Sequence, residues 1–270
     1  MRFLGLILFD IDGVLRDVGS SYRLAVKKTV LHFCGNEPTN EEIDILKNEG
    51  IWNNDWDLSL ELIKRNINVK DLNIKVPKKL QIIKFFEKLY FGCNPNQDYS
   101  KWSGFINNEK LLVDNDLFQE LSRNRIGWGF VSGAEQPSAK FVLEKRLKIN
   151  NPQLIAMGDA PEKPNPEGLI LLSKRILKKE LGANTPPIAF IGDTVADVMT
   201  VVNAREQIRD QRFISLAVSP PHLHVNASSN ARYIYESKLK EAGADYILQS
   251  VNDIKFKCKE FLGKSSRSTN

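Results

Sequence analysis

A predicted buried strand that ends in two carboxylates is the feature that most constrains this sequence. Residues 6–9 are apolar and include a β-branched member, which predicts a short buried strand. Asp10, Asp12 and Gly13 mark the point where that strand ends and the chain turns. In open α/β sheets, ligands bind at the carboxyl ends of the strands. Because burying two carboxylates is costly unless a cation or a reacting group compensates for them, we predict a functional site here.

The segment that follows has the periodicity of helices and contains no convincing strand. Pro77 suits a first helical position, while Gly35, Gly50 and Gly92 suit helix ends. Four helices are therefore predicted, at residues 22–35, at 40–49, from 54 or 55 onward, and at 77–92. We call residues 16–109 the insert and predict that they form an all-helical domain.

After the insert, the pattern changes to short strands that alternate with helices. Strands are predicted at residues 127–131, 154–157, 187–191, 213–218 and 245–248. Helices are predicted at residues 114–124, 137–147, 165–182, 195–208, 230–242 and 251–261. This alternation predicts an α/β fold, a Rossmann-like parallel sheet with helices on both faces. We call residues 1–15 and 110–262 the core, and predict that the polar residues 263–270 are a disordered tail.

Polar residues follow the predicted strands. Because the carboxyl ends of parallel strands meet at one edge of the sheet, we expect these residues to converge. They are Asp10 and Asp12 after the first strand, Ser132, Gly133 and Ala134 after the second, Asp159 and Lys163 after the third, and Asp193, Thr194 and Asp197 after the fourth. The carboxylates suit a hard divalent cation such as Mg²⁺. The Ser132 hydroxyl and the amides of Gly133 and Ala134 suit phosphate oxygens.

Charge and cysteine content indicate which partners and which cellular compartment to expect. The chain carries 38 Lys and Arg against 33 Asp and Glu, a formal charge of +5 that is spread along the sequence, so we expect no nucleic-acid partner. Cys34, Cys93 and Cys258 have no paired spacing, which favours reduced thiols. The apolar run at residues 3–9 is too short for a signal core or a membrane span. We therefore expect a cytoplasmic protein without membrane contact.

Together, the motifs resemble those of the haloacid dehalogenase (HAD) superfamily, subfamily I. Four short motifs match in order at the expected strand ends, and the resemblance covers the predicted core. They are Asp10-Ile11-Asp12-Gly13-Val14, Val131-Ser132-Gly133, Lys163-Pro164-Asn165-Pro166, and Gly192-Asp193-Thr194 with Asp197. The insert is similar to the helical C1 cap of this family in position and helicity. The resemblance implies a subfamily IA-like phosphatase.

The resemblance also implies roles for the two carboxylates of the first motif. Asp10 would be the nucleophile and would form an aspartyl phosphate, which divides one difficult displacement into two easier ones. Asp12 would donate a proton to the leaving oxygen and then accept one from the hydrolytic water.

A magnesium and phosphate site is implied in the same way. Mg²⁺ would be held by the Asp10 carboxylate, the Asp12 backbone carbonyl and the Asp193 carboxylate, with Asp197 reaching it directly or through water. Lys163 would offset the crowded negative charge, and Ser132 with Gly133 would hold the transferring phosphate.

Residues of the insert are candidates for substrate choice, because a cap can close over the site and exclude water. We expect Trp56 to pack between helices, and Trp52 and Asn53 to face the substrate. We hypothesise that Arg16 and Arg23 contact a second anionic group of the substrate.

Four further polar residues are expected to have local roles only. Asp159 is expected in a turn, Asp17 at a cap or hinge, and His222 and His224 in a loop.

The leading functional prediction is a Mg²⁺-dependent phosphatase that acts on a small phosphorylated metabolite, such as phosphoglycolate or a sugar phosphate. A phosphomutase would share all four motifs, and release of free phosphate would distinguish the two. Dehalogenation is disfavoured because it requires neither the metal nor the second carboxylate, and Asp12 is present. A binding or regulatory protein without turnover is the alternative from a different class.

Overall fold

The computed structural model describes residues 3–52, 54–69, 75–113, 115–225 and 229–263. Within residues 3–113 the elements are β1 (Gly5–Phe9), β2 (Arg16–Asp17), α1 (Tyr22–Cys34), α2 (Asn40–Lys47), α3 (Asp55–Val69), α4 (Lys79–Tyr90) and β3 (Lys110–Leu111). From residue 115 onward they are α5 (Asp116–Arg123), β4 (Ile126–Val131), α6 (Gln136–Lys140), β5 (Leu154–Ile155), α7 (Glu167–Leu177), β6 (Ile188–Gly192), α8 (Val195–Gln207), β7 (Phe213–Val218), α9 (His222–Val225), α10 (Ser229–Glu241), β8 (Tyr246–Leu248) and α11 (Ile254–Gly263).

Six of the described strands form one parallel sheet in the order β5-β4-β1-β6-β7-β8. Strand β1 is central, and Phe9 pairs with Phe130 of β4 on one side and Ile191 of β6 on the other. Its side chains alternate between two apolar clusters, so that Phe9 packs with α5 and α11 while Leu8 packs with α7 and α8. Both faces of the sheet are therefore covered by helices, which confirms the predicted Rossmann-like α/β fold.

The insert has an apolar cluster of its own. Val26 of α1, Leu62 of α3 and Phe86 of α4 are buried together in it. Helix α2 begins with a capping box, in which Thr39 accepts a hydrogen bond from the Glu42 amide and Glu42 accepts one from the Thr39 amide. The shared apolar cluster and the capped helix explain how the insert forms a helical layer above the edge of the sheet.

The prediction that residues 16–109 contain no strand is wrong at one end. Arg16 and Asp17 form β2, which pairs antiparallel with Lys110 and Leu111 of β3. Two residues are too few to produce an alternating pattern, so the pair is formed only because the chain leaves and re-enters the core at the same place. This two-stranded ribbon joins the core to the insert.

Other differences concern element ends and loops. Helix α7 ends at Leu177 instead of near residue 182, because Lys178 adopts a left-handed conformation with φ 54°. His222 and His224, predicted in a loop, lie in the short helix α9. The predicted disordered tail falls outside the described residues except for Gly263, where α11 ends.

No helix among the described residues combines the length and apolar content needed to cross a bilayer. Cys34, Cys93 and Cys258 form no disulfide bond within the described residues.

Candidate active site

Loops that follow the strands bring the predicted residues to one cavity. Its volume is about 80 Å³, and it lies between the carboxyl edge of the sheet and the insert. The predicted site residues that line it are Asp10, Asp12, Ser132, Gly133, Lys163 and Asp193. Asp197 does not line the cavity but contacts Lys163 directly. The strand-end pattern in the sequence therefore identified residues that are close together in the fold.

Lys163 provides a positive charge among buried carboxylates. Its Nζ lies 2.9 Å from Oδ1 of Asp10 and also contacts Oδ1 of Asp197. Burial alone would lower the pKa of this ammonium, but the charges of Asp10 and Asp197 raise it above its ordinary value. Lys163 therefore stays protonated and stabilises negative charge at Asp10.

Three buried carboxylates lie close together around Lys163. Ligand atoms of Asp10, Asp193 and Asp197 lie within 4.8 Å of one another, and all three residues are buried. Burial raises the pKa of Asp10 to about 7; Lys163 opposes the shift, and the carboxylates of Asp197 and Asp12 add to it. Burial raises the pKa of Asp193 well above its usual range, and the neighbouring charges of Asp197 and Asp10 contribute. The uncompensated negative charge and the all-oxygen donor set fit a hard divalent cation.

Asp197 has both carboxylate oxygens engaged. Oδ2 accepts hydrogen bonds from the backbone amide of Thr194 at 3.0 Å and from its hydroxyl at 2.6 Å, which caps the start of α8. A Cβ at position 192 would overlap the Asp197 side chain, so glycine is needed at that position. Asp197 thus orients Lys163 and fixes the loop after β6, and its role as a metal ligand stays a prediction.

Gly13 allows the loop after β1 to approach the loop after β6. Its φ is +76°, a left-handed conformation that favours glycine. A Cβ at this position would overlap Oδ2 of Asp193. The glycine of the first motif is therefore required both by the turn and by the close approach of a candidate metal ligand.

Ser132 lies directly after β4 and is 5% exposed. Its Oγ accepts a hydrogen bond from the Ala134 amide at 3.1 Å, which folds the loop into a tight turn before α6. Ser132 and Gly133 line the cavity beside Lys163. This arrangement suits the phosphate-binding role implied by the sequence, which stays a prediction.

The hypothesis that Arg16 contacts the substrate is wrong. Arg16 is fully buried, and all three guanidinium nitrogens have partners. Nε lies 2.6 Å from Oδ1 of Asp12, Nη1 lies 2.9 Å from Oε2 of Glu109, and Nη2 donates to Oγ of Ser138 at 2.9 Å. A buried guanidinium must be paired, and here each of the three nitrogens already has a protein partner.

Arg23 is placed differently. It lines the cavity, and its Nη2 contacts Oδ1 of Asp44. Its Nη1 is buried and makes no hydrogen bond within the described part of the chain. The hypothesis that Arg23 contacts an anionic group of the substrate therefore stays open, with one donor available for it.

The expected packing of Trp56 is confirmed, whereas the prediction that Trp52 faces the substrate is wrong. Trp56 packs against the apolar cluster of the insert but also lines the cavity. Trp52 does not line the cavity, and its indole N–H donates to Oε2 of Glu49 at 2.7 Å. Asn53, predicted to face the substrate, lies outside the described residues.

Several residues that line the cavity belong to none of the four motifs, and their place at the site was not predicted from the sequence. Tyr235 of α10 donates its hydroxyl to the backbone carbonyl of Asp193 at 2.9 Å. Glu135 follows the turn that ends at Ala134, and burial with a further contribution from Glu87 raises its pKa to about 7. His222, which was expected to have only a local role in a loop, lines the cavity from α9. Only its position after β7 could have indicated this.

Sheet topology, strand-end carboxylates and a buried lysine define an α/β protein with an acidic cluster beneath a helical insert. A model of the haloacid dehalogenase-like hydrolases matches residues 4–205. The chain belongs to this family of hydrolases, as the four motifs predicted.

A curated relative extends the similarity. The chain is 33% identical over 195 residues to the imidazoleglycerol-phosphate dehydratase of Phytophthora nicotianae. The aligned region is 72% of this chain but 40% of that protein. The chain thus spans about two fifths of the length of this relative.

Solved structures agree on the fold. A phosphonoacetaldehyde hydrolase-like protein from Oleispira antarctica is 15% identical with a TM-score of 0.68, covering 99% of this chain and 95% of that one. A HAD hydrolase of family IA, variant 3, from Entamoeba histolytica is 14% identical with a TM-score of 0.62, covering 98% and 100%. Phosphatase Tt82 from Thermococcus thioreducens is 22% identical with a TM-score of 0.56, covering 87% and 99%.

Proposed function

We propose that this protein is a Mg²⁺-dependent phosphatase that hydrolyses a small phosphorylated metabolite through an aspartyl phosphate. The observation that carries the proposal is the position of Asp10, which faces the cavity 2.9 Å from Lys163 and within a group of three buried carboxylates. A carboxylate in this setting is shielded from bulk water and lies beside groups that offset the charge of a phosphoryl group.

The reaction divides into two displacements. In the first, an Asp10 oxygen attacks phosphorus, the ester P–O bond breaks, and a proton from Asp12 goes to the leaving oxygen. In the second, Asp12 removes a proton from water, whose oxygen attacks phosphorus and releases inorganic phosphate and the Asp10 carboxylate. Asp12 lines the same cavity as Asp10, so both residues can reach one substrate.

Magnesium would be bound by the carboxylates of Asp10 and Asp193 and by the backbone carbonyl of Asp12, with Asp197 near enough to act directly or through water. When bound, the ion would neutralise charge on the phosphate oxygens. Ser132 and the Gly133 amide would hold the remaining phosphate oxygens, and Lys163 would balance the charge of Asp10.

We further propose that the insert, residues 16–109, is the cap that closes the cavity. Nδ2 of Asn54, at the start of α3, donates to Oε1 of Glu162 in the core at 3.0 Å. Asp44 of α2 contacts His222 of α9 at 2.8 Å. These contacts support a closed arrangement in which the insert excludes water from the reacting groups.

The small cavity supports a small substrate, of the phosphoglycolate or sugar phosphate class. The free donor of Arg23 favours an ester with a second anionic group. The name of the curated relative concerns imidazole glycerol phosphate, so an imidazole-bearing phosphate ester belongs among the substrates to be tested. A cytoplasmic setting without nucleic-acid partners stays a prediction from the sequence.

The test is phosphate release from a panel of phosphorylated metabolites, with and without Mg²⁺. We expect Mg²⁺-dependent release by the wild type and a loss of at least about 10³-fold in Asp10→Asn. Asp159→Asn is the matched control, because Asp159 also follows a strand but accepts the Ala156 amide at 2.9 Å and does not line the cavity. Isomerised product without free phosphate would indicate a phosphomutase. Binding of the esters with no turnover of any of them would indicate a binding protein.

A further inference from the structure

We propose that Arg16 is a positioning residue that orients the carboxylate of Asp12 and connects it to the insert. This inference rests on the proposed phosphatase function, in which Asp12 is the acid and base. Arg16 belongs to none of the four motifs that identified the family.

Arg16 determines where the Asp12 side chain points. Asp12 lies in the loop after β1, and its side chain is 25% exposed. Its Oδ1 is held by Nε of Arg16 at 2.6 Å, whereas Oδ2 makes no hydrogen bond within the described residues. One oxygen is therefore anchored and the other is left to exchange a proton at the cavity, where orientation strongly affects the rate.

Glu109 anchors the other end of the guanidinium. Its Oε2 lies 2.9 Å from Nη1 of Arg16, and its Oε1 accepts from the hydroxyls of Ser21 and Tyr90 at 2.8 Å each. Glu109 is 3% exposed and directly precedes β3, while Arg16 begins β2. The pair thus crosses the ribbon through which the insert is attached.

Ser138 completes the network from the core. Its Oγ accepts from Nη2 of Arg16 and lies 2.8 Å from the Tyr90 hydroxyl, and the Tyr22 hydroxyl donates to it at 3.3 Å. Tyr22 and Tyr90 belong to α1 and α4 of the insert. Because the residues that link Arg16 to the insert are buried and paired, a change in the position of the insert would change the support of Asp12.

The dependence of kcat/KM on the leaving group distinguishes a positioning role of Arg16 from a general structural defect. An alkyl phosphate needs a proton on its departing alkoxide, whereas an activated aryl phosphate does not. The value of kcat/KM reports only the steps up to formation of the aspartyl phosphate. We therefore expect Arg16→Gln to lower kcat/KM at least about tenfold more for the alkyl than for the aryl ester, as Asp12→Asn should do more strongly.

Two further variants keep this test decisive. Arg16→Lys retains a buried positive charge, and we expect a folded protein with the same selective loss to a smaller degree. Leu62→Ala is the control for lost stability, because Leu62 is buried in the apolar cluster of the insert, and we expect it to leave the ratio of the two esters unchanged.

An equal loss on both esters in folded Arg16→Gln or Arg16→Lys would overturn the positioning role. If Asp12→Asn fails to discriminate between the esters, the acid role of Asp12 is overturned and this inference with it. If the wild type hydrolyses neither ester, the proposed function itself fails.

Discussion

Asp44 of α2 and His222 of α9 lie 2.8 Å apart, measured from Oδ2 to Nε2, and join the insert to the core beside the cavity. The other oxygen of Asp44 contacts Nη2 of Arg23. Burial alone would raise the pKa of Asp44, but the hydrogen bond from His222 and the charge of Arg23 outweigh it, so the pKa lies below its ordinary value. The insert and the core are thus held together partly by an ionised carboxylate.

We expect Asp44→Asn to lower the free energy of unfolding by about 1–3 kcal/mol at neutral pH. A carboxyl whose pKa is lowered by folding stabilises the protein above its unfolded value near 3.8, and this contribution is lost as the pH falls through the lower folded value. The variant should therefore show a smaller loss of stability than the wild type below about pH 4. Urea denaturation between neutral pH and pH 3 measures this. Asp57→Asn, which breaks an exposed pair with Lys79, should change stability by less than about 1 kcal/mol.

Gly13→Ala should weaken Mg²⁺ binding, because the added Cβ overlaps Oδ2 of Asp193. Gly35→Ala is a matched control, with a φ of +73° against +76° for Gly13 and no atom within 4 Å of the added Cβ. Both variants should lose about 1 kcal/mol from left-handed strain. Only Gly13→Ala should also lose Mg²⁺ affinity, measured by calorimetry. Equal Mg²⁺ affinity in the two variants would contradict the proposed role of Asp193 as a metal ligand.

Glu135→Gln should change the pH dependence of stability in the opposite sense to Asp44→Asn. Burial, with a further contribution from Glu87, raises the pKa of Glu135 from 4.5 to about 7. A carboxyl whose pKa is raised by folding stabilises the protein fully below its unfolded pKa, and the contribution is lost as the pH rises through the folded pKa. Wild-type stability should therefore decline between pH 4.5 and about 7 by an amount that the variant lacks. Thermal unfolding across this range tests it, and a decline of equal size in the variant would refute the assignment to Glu135.

Removal of divalent cations should abolish phosphate release and lower the melting temperature. Mg²⁺ at 100 times its dissociation constant stabilises the folded state by about 2.7 kcal/mol if it binds only that state. We expect this stabilisation in the wild type and in Asp159→Asn, and its loss in Asp193→Asn, since Asp193 belongs to the group of three carboxylates. Equal stabilisation of Asp193→Asn would show that the cation binds elsewhere.

Arg23→Gln tests the second anionic group of the substrate. We expect the ratio of kcat/KM for phosphoglycolate over a phosphate ester of similar size without a carboxylate to fall about tenfold, as loss of one charge-assisted hydrogen bond implies. Arg65→Gln is the control, because Arg65 is exposed on α3 and pairs with Glu49 and Glu61. An unchanged ratio in Arg23→Gln would remove the argument for an anionic substituent.

The fold and the centre of the site could be predicted because their signals are local. Periodicity over a few residues located β1, β4, β6 and most helices, and the strand-end rule then grouped Asp10, Ser132, Lys163 and Asp193. Errors arose where a local signal was weak or absent. The end of α7 depended on one left-handed lysine, and β2 is only two residues long.

The role of Arg16 could not be predicted from its neighbours in the chain. It was expected at the substrate because it lies six positions after Asp10. Its partners Glu109 and Ser138 are 93 and 122 residues away in sequence, and no periodicity links them. For the same reason the sequence could not distinguish Trp56, which lines the cavity, from Trp52, which does not.

The sequence by itself determined the class of fold, the family and the order of the four motifs, because these follow from hydrophobic periodicity and from residues close together in the chain. Only the tertiary structure decided which charges are paired. The contacts of Arg16 with Asp12 and Glu109, and of Asp44 with Arg23 and His222, depend on how the insert packs on the core. Burial makes such pairing obligatory, but which groups meet is decided by the three-dimensional packing of segments distant in sequence.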